Sequence, residues 1–289
     1  MEIAQLIESL EFRLSASGVD NARRVAEELL AEIFQCKPLE IYTESVPRHT
    51  TTAEKLTLIK RLEPMVVRIE NGEPLQYVIG HVDFWGIPLQ CDARALIPRP
   101  ETELLVEEVL SSKIWEHRPA TVVDVGTGTG CIAITLARHR PDADFIAVDL
   151  SAQALSLARE NARQHQLEDR ILWLENSLLD GFAAESADAV VANLPYIATE
   201  DWKALSPSVR DYEPQSALES GPSGMELIKQ LATQARYVLV PGGLLFLEFG
   251  FDQGSMVLHC LERLGYLNIQ IRHDLAGHDR IAIAENPPC

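Results

Sequence analysis

Four consecutive residues, Asn193-Leu194-Pro195-Tyr196, combine the groups needed to hold a planar NH2 group in place. The Asn193 side-chain oxygen can accept one N–H bond and the Leu194 main-chain carbonyl a second. Pro195 fixes φ and with it the direction of that carbonyl, and Tyr196 offers an aromatic face for stacking. An amide or exocyclic amine nitrogen is a poor nucleophile because its lone pair is delocalised. A site that uses one must orient it and let it pyramidalise, and acceptors aimed at both N–H bonds do this. Alone, the tetrapeptide reads equally as a strand end closed by turn formers, so its meaning rests on its neighbours.

A second cluster lies upstream. Val122-Val123-Asp124-Val125 runs into Gly126-Thr127-Gly128-Thr129-Gly130, and Cys131-Ile132-Ala133-Ile134 begins a helical pattern. Glycines suit a backbone that turns sharply and approaches a ligand where a Cβ would collide, and a helix N-terminus offers N–H groups to a carboxylate or a phosphate. The dinucleotide fingerprint requires glycine at its sixth position, which here is Cys131, with the third glycine one residue early at Gly130. Asp149 ends the next apolar stretch, where an acid can accept hydrogen bonds from both ribose hydroxyls of an adenosyl group; the alternative is a cap for a helix starting near Ser151. Glu175-Asn176-Ser177-Leu178 follows the third stretch, placed either to read an adenine ring or to make an ordinary turn.

These residues need a scaffold that delivers them to one edge. Short apolar segments at Thr121 to Val125, Phe145 to Asp149, Ile171 to Leu174, Ala189 to Ala192 and Leu244 to Phe249 alternate with helical patterns. That alternation predicts an α/β fold with a mostly parallel sheet covered by helices. Leu267 to Arg272 and Arg280 to Ala284 lack an intervening helix and are expected to pair at the sheet edge. Upstream, Ile3, Leu6, Ile7, Leu10 and Leu14 recur at helical spacing, as do Val25, Leu29 and Ile33 behind a cap at Asp20. A third pattern, Leu56, Ile59, Leu62 and Val66, follows Thr51 and Thr52 as caps and carries Pro64 as a kink. Phe84 to Leu89 and Ala95 to Pro98, around polar Gln90 to Arg94, suit a hairpin connector. The expected organisation is a small all-helical domain over residues 1–75, a β-hairpin connector over 76–100 and a catalytic α/β domain over 101–289.

Composition narrows the function classes. Apolar residues make up 46% and charged residues 24% of the 289, as in ordinary globular proteins. No apolar run spans a bilayer and Met1-Glu2-Ile3 lacks a signal-peptide profile, so a cytoplasmic protein without a membrane partner is expected. The five cysteines form no Cys-x-x-Cys pair and no His/Cys cluster has zinc spacing, so no metal is expected. A net charge of -18 repels polyphosphate and disfavours nucleic acid as a stable partner.

The glycine loop resembles the first motif of class I methyltransferases, whose Rossmann-like sheet binds S-adenosyl-L-methionine. Almost the whole chain is similar to the release-factor glutamine methyltransferases of the HemK type. Pro74-Leu75-Gln76-Tyr77-Val78-Ile79-Gly80, Phe84-Trp85-Gly86 and Leu96-Ile97-Pro98-Arg99-Pro100-Glu101-Thr102-Glu103 carry that likeness beyond the two motifs. It implies methyl transfer from S-adenosyl-L-methionine to the glutamine of the Gly-Gly-Gln motif of peptide chain release factors, by a monomer whose helical domain and connector help to grip the protein substrate. It also implies cofactor contacts at Gly126, Thr127, Gly128, Thr129, Gly130, Asp149, Leu178 and Asn193, and a substrate clamp of Asn193, Leu194, Pro195 and Tyr196. Asn193 and Tyr196 would carry the chemistry, the Tyr196 face stabilising the moving methyl by about 0.5 to 2 kcal/mol, with Pro98, Arg99 and Thr102 lining the site.

One departure stands out: the family has proline at both central positions of the tetrapeptide, and this chain has Leu194. The main-chain carbonyl survives, while the loop regains conformational freedom worth roughly 0.4 to 1 kcal/mol. Three alternatives share these motifs: a glutamine methyltransferase of a ribosomal protein, an amino-methyltransferase of nucleic acid, and a silent cofactor-binding interaction protein.

Overall fold

A computed structural model describes residues 3–43, 52–116 and 119–288. The cap candidate Thr51 and Cys289 lie outside these residues. The chain divides into two compact units, Met1–His81 with Pro207–Tyr212, and Val82–Ser206 with Glu213–Cys289.

The first unit is helical: α1 (Ile3–Ala16), α2 (Ala22–Phe34), α3 (Thr52–Glu70) and α4 (Leu75–Ile79). The three-and-four spacing of Ile3, Leu6, Ile7, Leu10 and Leu14 puts them on one face of α1, where they meet Leu29, Leu30 and Ile33 of α2 and Leu62, Val66 and Ile69 of α3. Asn21, not Asp20, occupies the N-cap position of α2, in the left-handed region at φ 50° that Asn tolerates. Helix α3 continues through Pro64, whose missing N–H leaves one helical hydrogen bond unmade. Tyr212 belongs to this unit through a hydrogen bond from its hydroxyl to the Asn71 carbonyl at 2.8 Å.

Downstream, β1 (His81–Phe84) and β2 (Ile87–Gln90) form a two-stranded sheet. Its turn is Trp85-Gly86, both at positive φ (55° and 70°), closed by the Gly86 N–H donating to Asp83 Oδ1 at 3.0 Å. The turn therefore falls one segment earlier than the polar Gln90 to Arg94 stretch, because two successive left-handed residues match the twist of a two-residue hairpin. Arg94 instead pairs with Asp92 and Glu160.

The remaining elements are α5 (Pro100–Leu110), β3 (Thr121–Val125), α6 (Cys131–His139), β4 (Asp144–Asp149), α7 (Ala152–Gln164), β5 (Ile171–Glu175), β6 (Ala187–Asn193), α8 (Thr199–Trp202), α9 (Pro207–Arg210, within the first unit), α10 (Glu226–Val238), β7 (Leu239–Glu248), α11 (Gly254–Arg263), β8 (Leu267–His273) and β9 (Asp279–Glu285). Seven strands form one sheet in the order β5-β4-β3-β6-β7-β9-β8. The first five are parallel, while β9 runs antiparallel to both β7 and β8, so β8 closes the edge. Strand β7 begins earlier than its apolar run, pairing at Leu239 and resuming at Leu244 across an irregularity.

Side chains alternate faces along each strand. Val122, Phe145, Ala147, Val191 and Phe246 face one core with Leu105 of α5, Ile134 of α6 and Leu155 of α7. Val123, Val125, Val190, Ala192 and Leu247 face the other with Ile228 and Leu231 of α10 and Val257 of α11. The same period of two assigns Asp124, Asn193 and Glu248 to the first face. None of the described helices is long and apolar enough to cross a membrane.

Buried Asn161 on α7 couples β2 to the glycine loop. Its Oδ1 accepts from Gln90 N at 2.6 Å, and its Nδ2 donates to the carbonyls of Gln90 at 3.1 Å and Thr129 at 2.9 Å. Asn161→Leu fills similar space but leaves those main-chain groups without their partner. It is expected to lower the urea-unfolding free energy by about 2–4 kcal/mol; an unchanged midpoint would show that they find other partners.

Candidate active site

The order of strands reverses between β3 and β6, the position at which open α/β sheets receive ligands at the carboxyl ends of their strands. Val125 pairs with Ala192, so the residues that follow, Gly126 and Asn193, emerge side by side. Gly126, Gly128 and Gly130 stand at φ 74°, 57° and 83°, in the left-handed region that side chains disfavour. A Cβ on Gly126 would lie 2.9 Å from Leu194 Cδ2, and one on Gly130 would lie 3.1 Å from Ala158 Cβ. The loop thus needs glycine for both conformation and space.

Helix α6 starts from Gly130 without a side-chain cap. Asp124 supplies what is missing: its Oδ2 accepts from the Ala133 N–H at 3.2 Å and from the Thr127 hydroxyl at 2.6 Å. Burial pushes this carboxyl up to about 7, with the nearby Asp149 adding to the rise. Asp124 Oδ1 is buried without a hydrogen-bond partner among the described residues. By taking the Ala133 N–H, Asp124 occupies a helix N-terminal donor that would otherwise be offered to an anion.

Asp149 ends β4 at the same edge. Its Oδ2 accepts from Gly128 N at 2.9 Å and its Oδ1 from Ser151 N at 2.9 Å. The N-cap of α7 is Ser151, whose hydroxyl accepts from Ala154 N at 3.2 Å, so Asp149 is not the cap. The bonds from Gly128 and Ser151 leave lone-pair capacity on the carboxylate for a pair of hydroxyls. Burial raises this carboxyl as well, offset by the N–H donors of Ser151, Gly128 and Leu150.

Beyond β5, Asn176 Nδ2 donates to the Asp180 carbonyl at 2.8 Å and fixes the turn. Leu178 sits in this turn at φ 48°, but its side chain is 8% exposed and packs in the second core. The exposed apolar side chain at this edge is Leu150, 73% accessible beside Asp149, which sequence reasoning missed.

In the tetrapeptide, alternation sends Asn193 and Leu194 to opposite faces. Leu194 is 4% exposed in the second core. Asn193 Nδ2 donates to Thr102 Oγ1 at 2.9 Å, and the Thr102 hydroxyl donates to Glu248 Oε2 at 2.8 Å. Tyr196 is half-buried; its carbonyl accepts from Gln253 Nε2 at 2.8 Å, and Gln253 Oε1 accepts from Gly250 N at 2.9 Å. Burial beside Glu248 raises the Tyr196 phenol to about 12, so it stays neutral at physiological pH. Gly126, Asn193 and Leu194 are in contact, Gly128 and Asp149 are bonded, and Thr129 is bonded to Asn161. Tyr196 is held from the β7 side, with Pro195 between it and Leu194 in the chain.

Glu213 and Glu248 went unread in the sequence, as did the capping role of Asp124. Glu213 is almost wholly buried, binding Arg99 Nη2 at 2.6 Å and the Ile97 N–H at 3.1 Å, and so fixes the segment leading into α5. For Asp124 and Glu248 a signal existed: each is a lone acid in or at the end of a strongly apolar strand, Val122 to Val125 and Leu244 to Glu248.

The PrmC N-terminal domain family matches residues 5–80, and the Methyltransferase small domain family matches residues 100–206. A release factor glutamine methyltransferase of Caulobacter vibrioides is 36% identical over 276 residues, covering 96% of this chain and 93% of that protein. One from Cereibacter sphaeroides is 37% identical over 289 residues, with 99% of each chain covered. Among solved structures, a methyltransferase from Pyrococcus furiosus is 14% identical with a TM-score of 0.52, covering 70% of this chain and 90% of that one, a likeness of fold.

The close approach of Leu194 to Gly126 yields a coupling test. Gly126→Ala should destabilise the chain by about 2 kcal/mol through left-handed strain and crowding. Leu194→Ala should cost about 2–4 kcal/mol as a buried truncation. Together they should cost less than the sum by about 0.5 kcal/mol or more in urea unfolding, because the truncation clears the space the new methyl enters. Additive losses would show that the two residues do not compete for it.

Proposed function

The chain belongs to the release factor glutamine methyltransferase family, and we propose that it methylates the side-chain amide nitrogen of the glutamine in the Gly-Gly-Gln motif of peptide chain release factors. The observation that carries this reading is the state of Asn193, which follows the strand residue paired with the one before the glycine loop: its NH2 group is engaged by Thr102, which leaves its side-chain oxygen as an acceptor.

The residues at the sheet edge fit S-adenosyl-L-methionine. Asp149 retains acceptor capacity for the ribose hydroxyls, Gly126 to Gly130 offer main chain without side chains to the methionyl part, and the Leu178 main chain with Leu150 would border the adenine. Asp124, Asp149 and Glu248 all have carboxyls raised by burial, which places them in a water-poor region at this edge of the sheet. When bound, the cofactor would supply an electrophilic methyl group on a sulfonium sulfur, and the amide nitrogen that takes it would lose one proton to water.

The chain's own contribution is orientation. Asn193 Oδ1 and the Leu194 carbonyl accept the two N–H bonds of the target amide, so its lone pair points out of the amide plane toward the donor methyl. Tyr196 stacks on the planar group. Such positioning accounts for most of the acceleration in a reaction that needs no strong base before the nitrogen is alkylated. The net charge of -18 suits a protein substrate better than a polyphosphate.

Incubation with labelled S-adenosyl-L-methionine tests the substrate directly. Label should enter a release factor and be lost when its Gly-Gly-Gln glutamine is replaced; label in DNA alone would overturn the reading. Asn193→Ala should reduce turnover by about 100-fold or more while cofactor affinity, read by calorimetry, stays within about threefold. Leu194→Pro stiffens the clamp but shrinks a buried side chain. It should keep or raise kcat while lowering stability by about 1–2 kcal/mol, and a large loss of kcat in folded protein would refute the clamp geometry.

A further inference from the structure

The residues behind Asn193 form a compact hydrogen-bonded ring of neighbours, Asn193, Thr102 and Glu248, that the two motifs do not include. Asn193 ends β6 and pairs with Glu248, the last residue of β7. Residues opposite each other in a sheet share a face, and that face is covered by α5, whose first turn carries Thr102. Thr102 is 2% exposed and Glu248 1% exposed, so neither exchanges its partners for water. Thr102 donates to Glu248, Asn193 donates to Thr102, and the Asn193 amide lies close enough to Glu248 to help hold its carboxyl down.

The donors and acceptors in this ring allow one polarity. A threonine hydroxyl has a single proton, and here Glu248 takes it. The Thr102 oxygen can then only accept from Asn193, and an ionised Glu248 can only accept as well. Both therefore face the NH2 end of the Asn193 amide, and Asn193 Oδ1 has no protein donor among the described residues. A protonated Glu248 reverses the ring: the carboxyl donates to Thr102, the hydroxyl turns to donate to Asn193, and the amide flips so that its oxygen is consumed inside the protein.

We infer that Glu248 and Thr102 are positioning residues for methyl transfer, which fix the Asn193 amide with its oxygen outward as the acceptor for the substrate N–H. This rests on the methyl-transfer reading above and deepens it by assigning the groups that set the clamp's polarity. Without them, Asn193 presents its oxygen and its NH2 group to the substrate with little to choose between them, and the NH2 orientation repels the N–H that must be held.

The ring also gives the clamp a pH dependence. Burial raises the Glu248 carboxyl to about 7, against the lowering effects of Thr102, Arg280 on β9 and Asn193. Glu101 on α5 adds to the rise, and Tyr196 after β6 and Cys131 at the start of α6 also face the carboxylate. The ionised form orients Asn193 correctly. Methyl transfer is therefore full above that value and falls as the pH drops through it, by up to about tenfold per pH unit.

The test compares Thr102→Val, Thr102→Ser and Glu248→Gln in the full chain. Thr102→Val should lower kcat on a release factor by about 10- to 100-fold, with cofactor affinity changed by less than about threefold, and Thr102→Ser should regain most of the loss. Glu248→Gln should lower kcat and abolish the acid limb of its pH profile. Wild-type kcat in Thr102→Val, or an acid limb that persists in Glu248→Gln, would overturn the inference. A second readout needs no substrate: the side-chain amide 15N resonance of Asn193, assigned by its loss in Asn193→Asp, should titrate near pH 7 in the wild type and not in Glu248→Gln. If it stays constant between about pH 5.5 and 8.5, the ring does not orient Asn193. If no release factor accepts label, the substrate reading fails while this resonance still decides the ring.

Discussion

The parallel pairing of β3 with β6 is the contact on which the site is built, because it sets two chemically different loops edge to edge. Val125 opposite Ala192 brings the glycine turn and the Asn193 tetrapeptide out of the sheet at the same level. A slip of one residue would exchange every side chain between the two cores, sending Asn193 into the second and Leu194 into the first. The register is held by both faces at once: Val122 and Val191 are buried on one side, Val123 and Val190 on the other. Glycine at position 126 is part of the same fit, for a Cβ there would occupy the space of Leu194 Cδ2.

Around that junction the protein accepts the cost of buried acids. Asp124, Glu213 and Glu248 are each under 5% exposed; Asp124 is held by local donors, while Glu213 and Glu248 are held by donors more than a hundred residues away in the chain. Asp124 caps the helix that follows the glycine loop, Glu213 fixes the approach to α5, and Glu248 faces Thr102 on α5 itself. Burying a carboxylate is unfavourable unless its lone pairs are satisfied. Breaking any of these contacts would leave its own carboxylate to bear that cost; Asp124 secures the glycine loop to α6, Glu213 the segment before α5, and Glu248 joins α5 to β7.

Leu194 shows how a departure from a family's usual residue can be absorbed. Alternation places this position on the second core, where an apolar side chain has room beneath the glycine loop. The group expected to accept the second N–H is a main-chain carbonyl, which every residue possesses. Rigidity lost with the proline ring is therefore countered by packing, whereas replacement of Asn193, whose side chain is itself the acceptor, has no such compensation.

The sequence by itself determined the period-two strands, the three-and-four helical faces, the glycine loop and the acid at Asp149, because local spacing and side-chain volume decide these. It also held the family likeness that the full-length relatives bear out. The hairpin turn at Trp85-Gly86, the core position of the Leu178 side chain and the capping role of Asp124 were decided only in three dimensions. The ring of Asn193, Thr102 and Glu248 is the clearest case: its members lie 91 and 146 residues apart along the chain. Hydrogen-bond polarity depends on which donors and acceptors meet after the chain has folded, and no spacing along the sequence records that.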